Sequence, residues 1–489
     1  MSVSESRAPA VRQLVVALVA TIATLLTVAT DLGFAEGASF PSATPRAQCG
    51  PGSLPEGKVQ GRVPAADYDS GRAARGYRCN ARQVAHRPGT GGYKVLRYTD
   101  RAGHRCVYYD STRTFPTDVF EQAQSGFGVV VVDVTRADRP RVTTTLTTPT
   151  MLSPHESLLL HHRRGLLAAV LGNAYAGPGV LELYDVRTDC RRPRLVSRTT
   201  EAVLGHESGW SPDGRTFYVA SSGGQTFVAL DVSDPARPSI LFSQRGVNYH
   251  GLRLSDDGRT LYAAHIGNDL SGATLPGEGL RILDVGDIQD RRPDPQVEVL
   301  ADLTWREGSI PQVAQPFTRD GRDYVLEVDE FSTAGLNHGS VKPQDATVGA
   351  ARIIDVTDPR RPSVVSHLRL GVQQPAARAA SIGDPGAGTP LGGYTAHYCS
   401  VPYREGPRIA ACSMIGSGLR IFDLTDLRRP REAAYFNMPS SDGAAAFSQP
   451  AWDVRRRLVY YSDASSGLYA VRLTNGVEDL LRPGRGDAP

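Results

Sequence analysis

The segment AARIIDVTDPRRP at 350–362 recurs in variant form along the 489-residue chain. Its variants are GFGVVVVDVTRADRP at 126–140, GVLELYDVRTDCRRP at 179–193, GQTFVALDVSDPARP at 224–238, GLRILDVGDIQDRRP at 279–293 and GLRIFDLTDLRRP at 418–430. A degenerate copy, GLYAVRL, stands at 467–473. Each copy is a run of β-branched and aliphatic residues, then an Asp- and Pro-rich turn, then a second extended run. Upstream of most copies lies another pair of extended runs around a tight turn, as in HESGWSPDGRTFYVASS at 206–222 and HGLRLSDDGRTLYAAH at 250–265. The Asp213-Gly214, Asp257-Gly258 and Asp320-Gly321 pairs are hairpin signals, because glycine takes the positive φ that a tight turn demands. One unit is therefore four antiparallel strands, A to D.

The aspartates that close strand C (Asp133, Asp185, Asp231, Asp284, Asp355 and Asp423) are 52, 46, 53, 71 and 68 residues apart. A single four-stranded sheet cannot bury both faces alone, so units at this period pack against one another as a β-propeller. The six aspartates invite a catalytic or calcium-binding role. An Asp at a strand end more simply accepts backbone N–H groups of the turn that follows, and that is the role expected here.

The G-L-x-I-x-D-V-x-D-P-x-x-P pattern resembles the LVIVD-repeat family of bacterial and archaeal surface propellers, over essentially all of 77–473. The resemblance implies an all-β propeller on an exported protein and brings no established reaction with it. Seven blades are expected at 92–147, 155–200, 206–244, 250–303, 315–370, 397–437 and 447–473. The last lacks a fourth strand, while 80–86 reads as an extended strand with no neighbour. Pairing the two closes the ring and removes an open sheet edge; six closed blades are the fallback.

Outside the propeller, residues 1–35 read as an export signal, with Arg7 and Arg12 ahead of the uncharged apolar run 14–30 and small residues after it. An uncleaved N-terminal membrane anchor is the alternative. Residues 36–76, rich in Gly, Pro, Ala and Ser, read as a flexible leader, and 474–489 as a loose C-terminal tail. Export accords with six cysteines, which an oxidising compartment would pair. Cys399 and Cys412 stand symmetrically about a hairpin turn and are expected to be bridged; the pairing of Cys49, Cys79, Cys106 and Cys190 stays open. A net charge of +3 without basic runs gives no argument for nucleic acid.

Long B-to-C connections at 111–125, 267–278 and 330–349 and a long D-to-A connection at 371–396 all emerge on one face of the disc. Long loops on a rigid scaffold are the usual place for binding. The leading expectation is a monomeric, non-enzymatic exported scaffold that binds a protein, glycan or small molecule through that face.

The alternative rests on histidines. His155, His206 and His250 each lie eight residues before the equivalent turn position, and His397 nine, so all four head an innermost strand and ring the channel mouth. Gln312 or Gln315 takes that place in the fifth blade and Gln449 in the seventh. Imidazoles converging from several blades suit copper or zinc, with Glu156 or Glu207 as a possible oxygen ligand or base. That reading gives a metal-dependent oxidoreductase, by analogy of fold with selenium-binding protein and methanethiol oxidase. The simpler role for these histidines is to tie adjacent blades; His161, His162, His265 and His338 lack the shared register and read as surface or loop residues. Glu327, Asp329 and Glu330 end a strand B at the same face, where they could bind a cation, but as the entrance to a long polar loop they are expected to be solvated. No catalytic nucleophile stands out, and a lactonase-like calcium channel would ask for more acidic residues at the mouth.

Overall fold

The computed structural model describes residues 40–111, 127–171, 179–202, 205–221, 226–267, 279–331, 342, 344–387, 393–441 and 443–482. The expected export signal, most of the long B-to-C connections and His338 lie outside them.

The chain forms a seven-bladed β-propeller. Blade 1 is built from Val95–Thr99, Arg105–Asp110, Val129–Asp133 and Arg141–Leu146, in that order outward from the axis. Blades 2 to 5 repeat the plan, with strands C at Leu181–Asp185, Thr226–Asp231, Gly279–Asp284 and Ala351–Asp355. These strands are nearly continuous apolar runs because both faces of each sheet are covered. The core is accordingly divided among the seven blade interfaces. Tyr98, Tyr108, Leu167 and Tyr184 fill that of blades 1 and 2, for example, and Val107, Val132, Leu458 and Tyr460 that of blades 7 and 1.

The hairpin and turn chemistry follows the sequence. Gly214, Gly258 and Gly321 have φ of 70°, 73° and 71°. Each of the six repeated aspartates accepts the backbone N–H two residues on, at 2.7–3.0 Å. They are turn caps.

The ring closes as expected: Ala81–Arg87 pairs antiparallel with Gly467–Leu473 and supplies the outer strand of blade 7. What the sequence did not disclose is that the segment just before it belongs to a different blade. Tyr77–Cys79 pairs with Arg431–Asn437 as a fifth strand of blade 6. Between the two, Asn80 takes a positive φ of 51° and turns the chain from one blade to the next. Its side-chain amide donates to the Gln48 and Ala433 carbonyls, fixing that step.

Two expectations about the flanks are corrected. Residues 40–76 are not a flexible leader but lie along blades 5 and 6, where Val63, Ala73, Tyr77, Cys79 and Tyr435 form a small core. The anchor is ionic: buried Arg420 of blade 6 pairs with Glu56 at 2.8 Å and Glu432 at 3.0 Å. Arg62 also bonds Asp384 at 2.7 Å in the long D-to-A connection, which carries the short helix Pro375–Ser381. At the other end, Val477 and Leu481 pack on the interface of blades 6 and 7, so 474–482 is no loose tail. Low content of large apolar residues misled the reading because a few apolar contacts, with the Arg420 ion pairs for the N-terminal segment, suffice to hold them.

All six cysteines are bridged. Cys399–Cys412 joins strands A and B of blade 6, Cys106–Cys190 joins blades 1 and 2, and Cys49–Cys79 ties the leader to the strand that it precedes. Among the described residues no helix is long and apolar enough to cross a membrane.

Candidate functional site in the central channel

The four histidines that share a position in their blades meet at the channel. Their Nε2 atoms face one another and two carboxylates. His155 and His206 approach to 3.3 Å. Glu156 Oε2 lies 3.2 Å from His206 and 3.3 Å from His250, while its Oε1 lies 3.1 Å from His397. Glu330 completes the group, 3.2 Å from His250 and 2.8 Å from His397. Gln312, the residue that replaces histidine in blade 5, donates to Glu156 Oε1 at 2.6 Å.

Burial makes this arrangement consequential. The side chains of Glu156, His250, His397 and Glu330 are 0–5% exposed, whereas His206 is 25% exposed. Access is therefore from the side of His155 and His206. Tyr93, Phe331 and Phe447 pack around His397 and make that wall apolar.

The tautomer of His397 follows from its partners. Its Nδ1 lies 2.6 Å from the Phe447 carbonyl, which only accepts, so Nδ1 carries the proton. Nε2 then directs its lone pair at two carboxylates, an arrangement that needs a second proton or a cation between them. A backbone carbonyl orienting the distal nitrogen is the usual support of a metal-ligating histidine. Burial works against charge on this ring, yet Glu156 and Glu330 raise its pKa to about 9. The His250 pKa is raised by the same two carboxylates against burial. That of His155 is pulled down to about 3 by burial and the neighbouring His206. Burial also opposes charge on Glu156, but the imidazoles, His250 foremost, hold it well below the usual carboxylate range.

The donor set fits a metal ion. Glu156 Oε2, His250 Nε2 and Nδ1, and Gln312 Oε1 are buried without hydrogen-bond partners, which protein interiors rarely tolerate. An ion bound at about 2.1 Å by imidazole and carboxylate sets its neighbouring donors roughly 3.0–3.4 Å apart, close to the contacts seen here.

Glu207 is a correction. Although it follows His206 as Glu156 follows His155, it sits away from the imidazoles in a second buried layer. Its carboxylate contacts Lys94 at 2.5 Å and Arg253 at 2.7 Å and accepts from the Tyr398 hydroxyl. Burial pulls the Lys94 ammonium down to about 8 despite that partner. Glu330 is the converse: expected to be solvated, it is one of the two carboxylates at the histidines. Its neighbours Glu327 and Asp329 are also buried, paired with Arg352. The signal for Glu330 was its place at the end of a strand B, beside the heads of strands A. Two other histidines read as surface residues are buried: His265, and His161, whose Nε2 donates to the Pro212 carbonyl of blade 3 at 3.1 Å.

No protein-family model matches the sequence, and no curated protein sequence matches it. Among solved structures, the periplasmic gluconolactonase of Pseudomonas aeruginosa is similar at 16% identity and a TM-score of 0.47, over 78% of this chain and 96% of that one. The hydrazine synthase of Kuenenia stuttgartiensis is similar at 14% identity and 0.48, over 79% and 97%. The Cps50 (Swd1) β-propeller domain of Myceliophteria thermophila is similar at 11% and 0.48, over 80% and 100%. At this distance none lends its activity to this chain.

Proposed function

We propose that this chain is an exported β-propeller that holds a transition metal in its central channel and uses it in oxidoreductase chemistry on a small substrate. The single observation behind the reading is the meeting of His155, His206, His250 and His397 with Glu156 and Glu330, where Glu156 Oε2 and both nitrogens of His250 are buried without a hydrogen bond. Imidazole nitrogens mixed with carboxylate oxygens suit copper, zinc or iron. The metal would supply electron transfer or Lewis acidity. The residues would hold it, exclude water on the His250 and His397 side, and leave the His155 and His206 side for substrate. Three disulfides accord with export to an oxidising compartment, as does the resemblance of the repeats to LVIVD propellers. The scaffold reading, with a protein, glycan or small molecule on the loop-rich face of a monomer, rests on connections largely outside the described residues. It stands second because no buried donor set speaks for it.

Elemental analysis of protein purified from an exporting host tests the proposal, beside a His250→Ala, His397→Ala double variant. Bound copper, zinc or iron in the parent and its loss in a folded variant are expected. A parent that is metal-free and cannot be loaded refutes the reading and returns the histidines to the role of blade ties.

A further inference from the structure

Glu156 stands among the imidazoles rather than beside them. Its Oε2 turns to His206 and His250 and its Oε1 to His397, so donors flank the carboxylate on both sides. The donors divide into two groups that share it. His155, His206 and Glu156 bring their donor atoms within 4.8 Å of one another, and so do Glu156, His250 and Glu330. His397 joins the second group through Glu330 and Glu156 Oε1. Glu156 is the one member common to both groups. The His206 and His250 rings, one from each group, have centroids 4.1 Å apart. The two groups are thus in contact, as the ligand sets of two ions that share a bridging ligand must be.

The geometry points to a two-ion centre bridged by Glu156: one ion on His155 and His206 at the open side, the other on His250, His397 and Glu330 in the buried side. This rests on the metal reading above. Two divalent ions against two carboxylates and four neutral imidazoles leave two positive charges. Lys94 and Arg253 against Glu207 add one more beneath. Such an excess in a largely buried channel needs anions, which assigns hydroxide or a small anionic substrate to the open side. The two ions also differ in exposure. The outer is exchangeable with solvent through His206, and the inner is enclosed.

Metal stoichiometry and copper(II) titration of the metal-stripped full chain test this. Two equivalents are expected, with the paramagnetic resonance signal of the first quenched by coupling when the second binds. His206→Ala is expected to keep one equivalent with an unquenched signal. Glu156→Gln is expected to uncouple the pair, and azide to shift the copper absorption of the two-ion form. One equivalent in the parent, or two uncoupled signals, overturns the two-ion centre while leaving the metal reading intact. No specific uptake sinks both. Two equivalents retained by His206→Ala overturns the assignment of the outer ion, and an absorption indifferent to azide overturns the anion site.

Discussion

Arg420 offers a direct measure of how firmly the N-terminal segment is built into the propeller. Its guanidinium is fully buried, bonded to Glu56 at 2.8 Å, Glu432 at 3.0 Å and the Ser417 carbonyl at 2.9 Å, and it lies 4.6 Å over the Tyr435 ring. Arg420→Ala leaves two carboxylates, each no more than 2% exposed, without their cation. Removing one partner of a buried ion pair costs about 3–5 kcal/mol. Gln60 and the Ala47 amide still bond Glu432, and Arg46 still approaches Glu56 at 3.7 Å, which places the cost near the lower end, at about 3 kcal/mol. With a urea m-value of about 3 kcal/mol/M, the unfolding midpoint falls by about 1 M. The same variant should expose residues 40–76 to protease. Replacing the whole triad by Arg420→Met, Glu56→Gln and Glu432→Gln removes the uncompensated charge and should recover most of the loss. A change below about 1 kcal/mol in Arg420→Ala, or a triple variant worse than the single one, would refute the claim that this triad anchors the segment.

Three further outcomes are expected. Burial lowers the pKa of His161, whose Nε2 donates to Pro212 and whose Nδ1 accepts from the Arg164 amide, so the fold prefers the neutral ring. A depressed folded pKa means that its contribution is complete above the unfolded value of about 6.5 and is lost as pH falls through the folded value. Chemical denaturation between pH 7.5 and 5 should therefore show a shallower decline in His161→Gln than in the parent. A Cβ on Gly251 would lie 2.3 Å from the Gln312 carbonyl oxygen of the next blade, so Gly251→Ala should cost about 1–3 kcal/mol in thermal unfolding and displace adjacent His250, lowering metal content. Opening Cys106–Cys190, which closes 84 residues between blades 1 and 2, should cost more than opening Cys399–Cys412, which closes 13; chain entropy puts them at about 4.6 and about 2.9 kcal/mol, measured with paired Cys→Ser variants.

The repeat alone determined the architecture. Strands that alternate with Asp-Gly hairpins and Asp-capped turns carry their conformation locally, and a period of four strands admits little but a propeller. The spare strand read at 80–86 and the incomplete last blade identified each other for the same reason. Even the meeting of His155, His206, His250 and His397 was legible, because equivalent positions in a ring converge on its axis.

Tertiary structure decided which carboxylates join them. His155-Glu156-Ser157 and His206-Glu207-Ser208 are the same three residues at the same place in successive blades, yet Glu156 reaches the imidazoles and Glu207 does not. His155 adopts a positive φ of 48° that His206 does not share, and Glu207 is claimed by Lys94 from blade 1, Arg253 from blade 4 and Tyr398 from blade 6. Those partners lie between 46 and 191 residues away, so no local pattern distinguishes the two glutamates. Burial and charge pairing are properties of the closed ring, and only the closed ring could assign them.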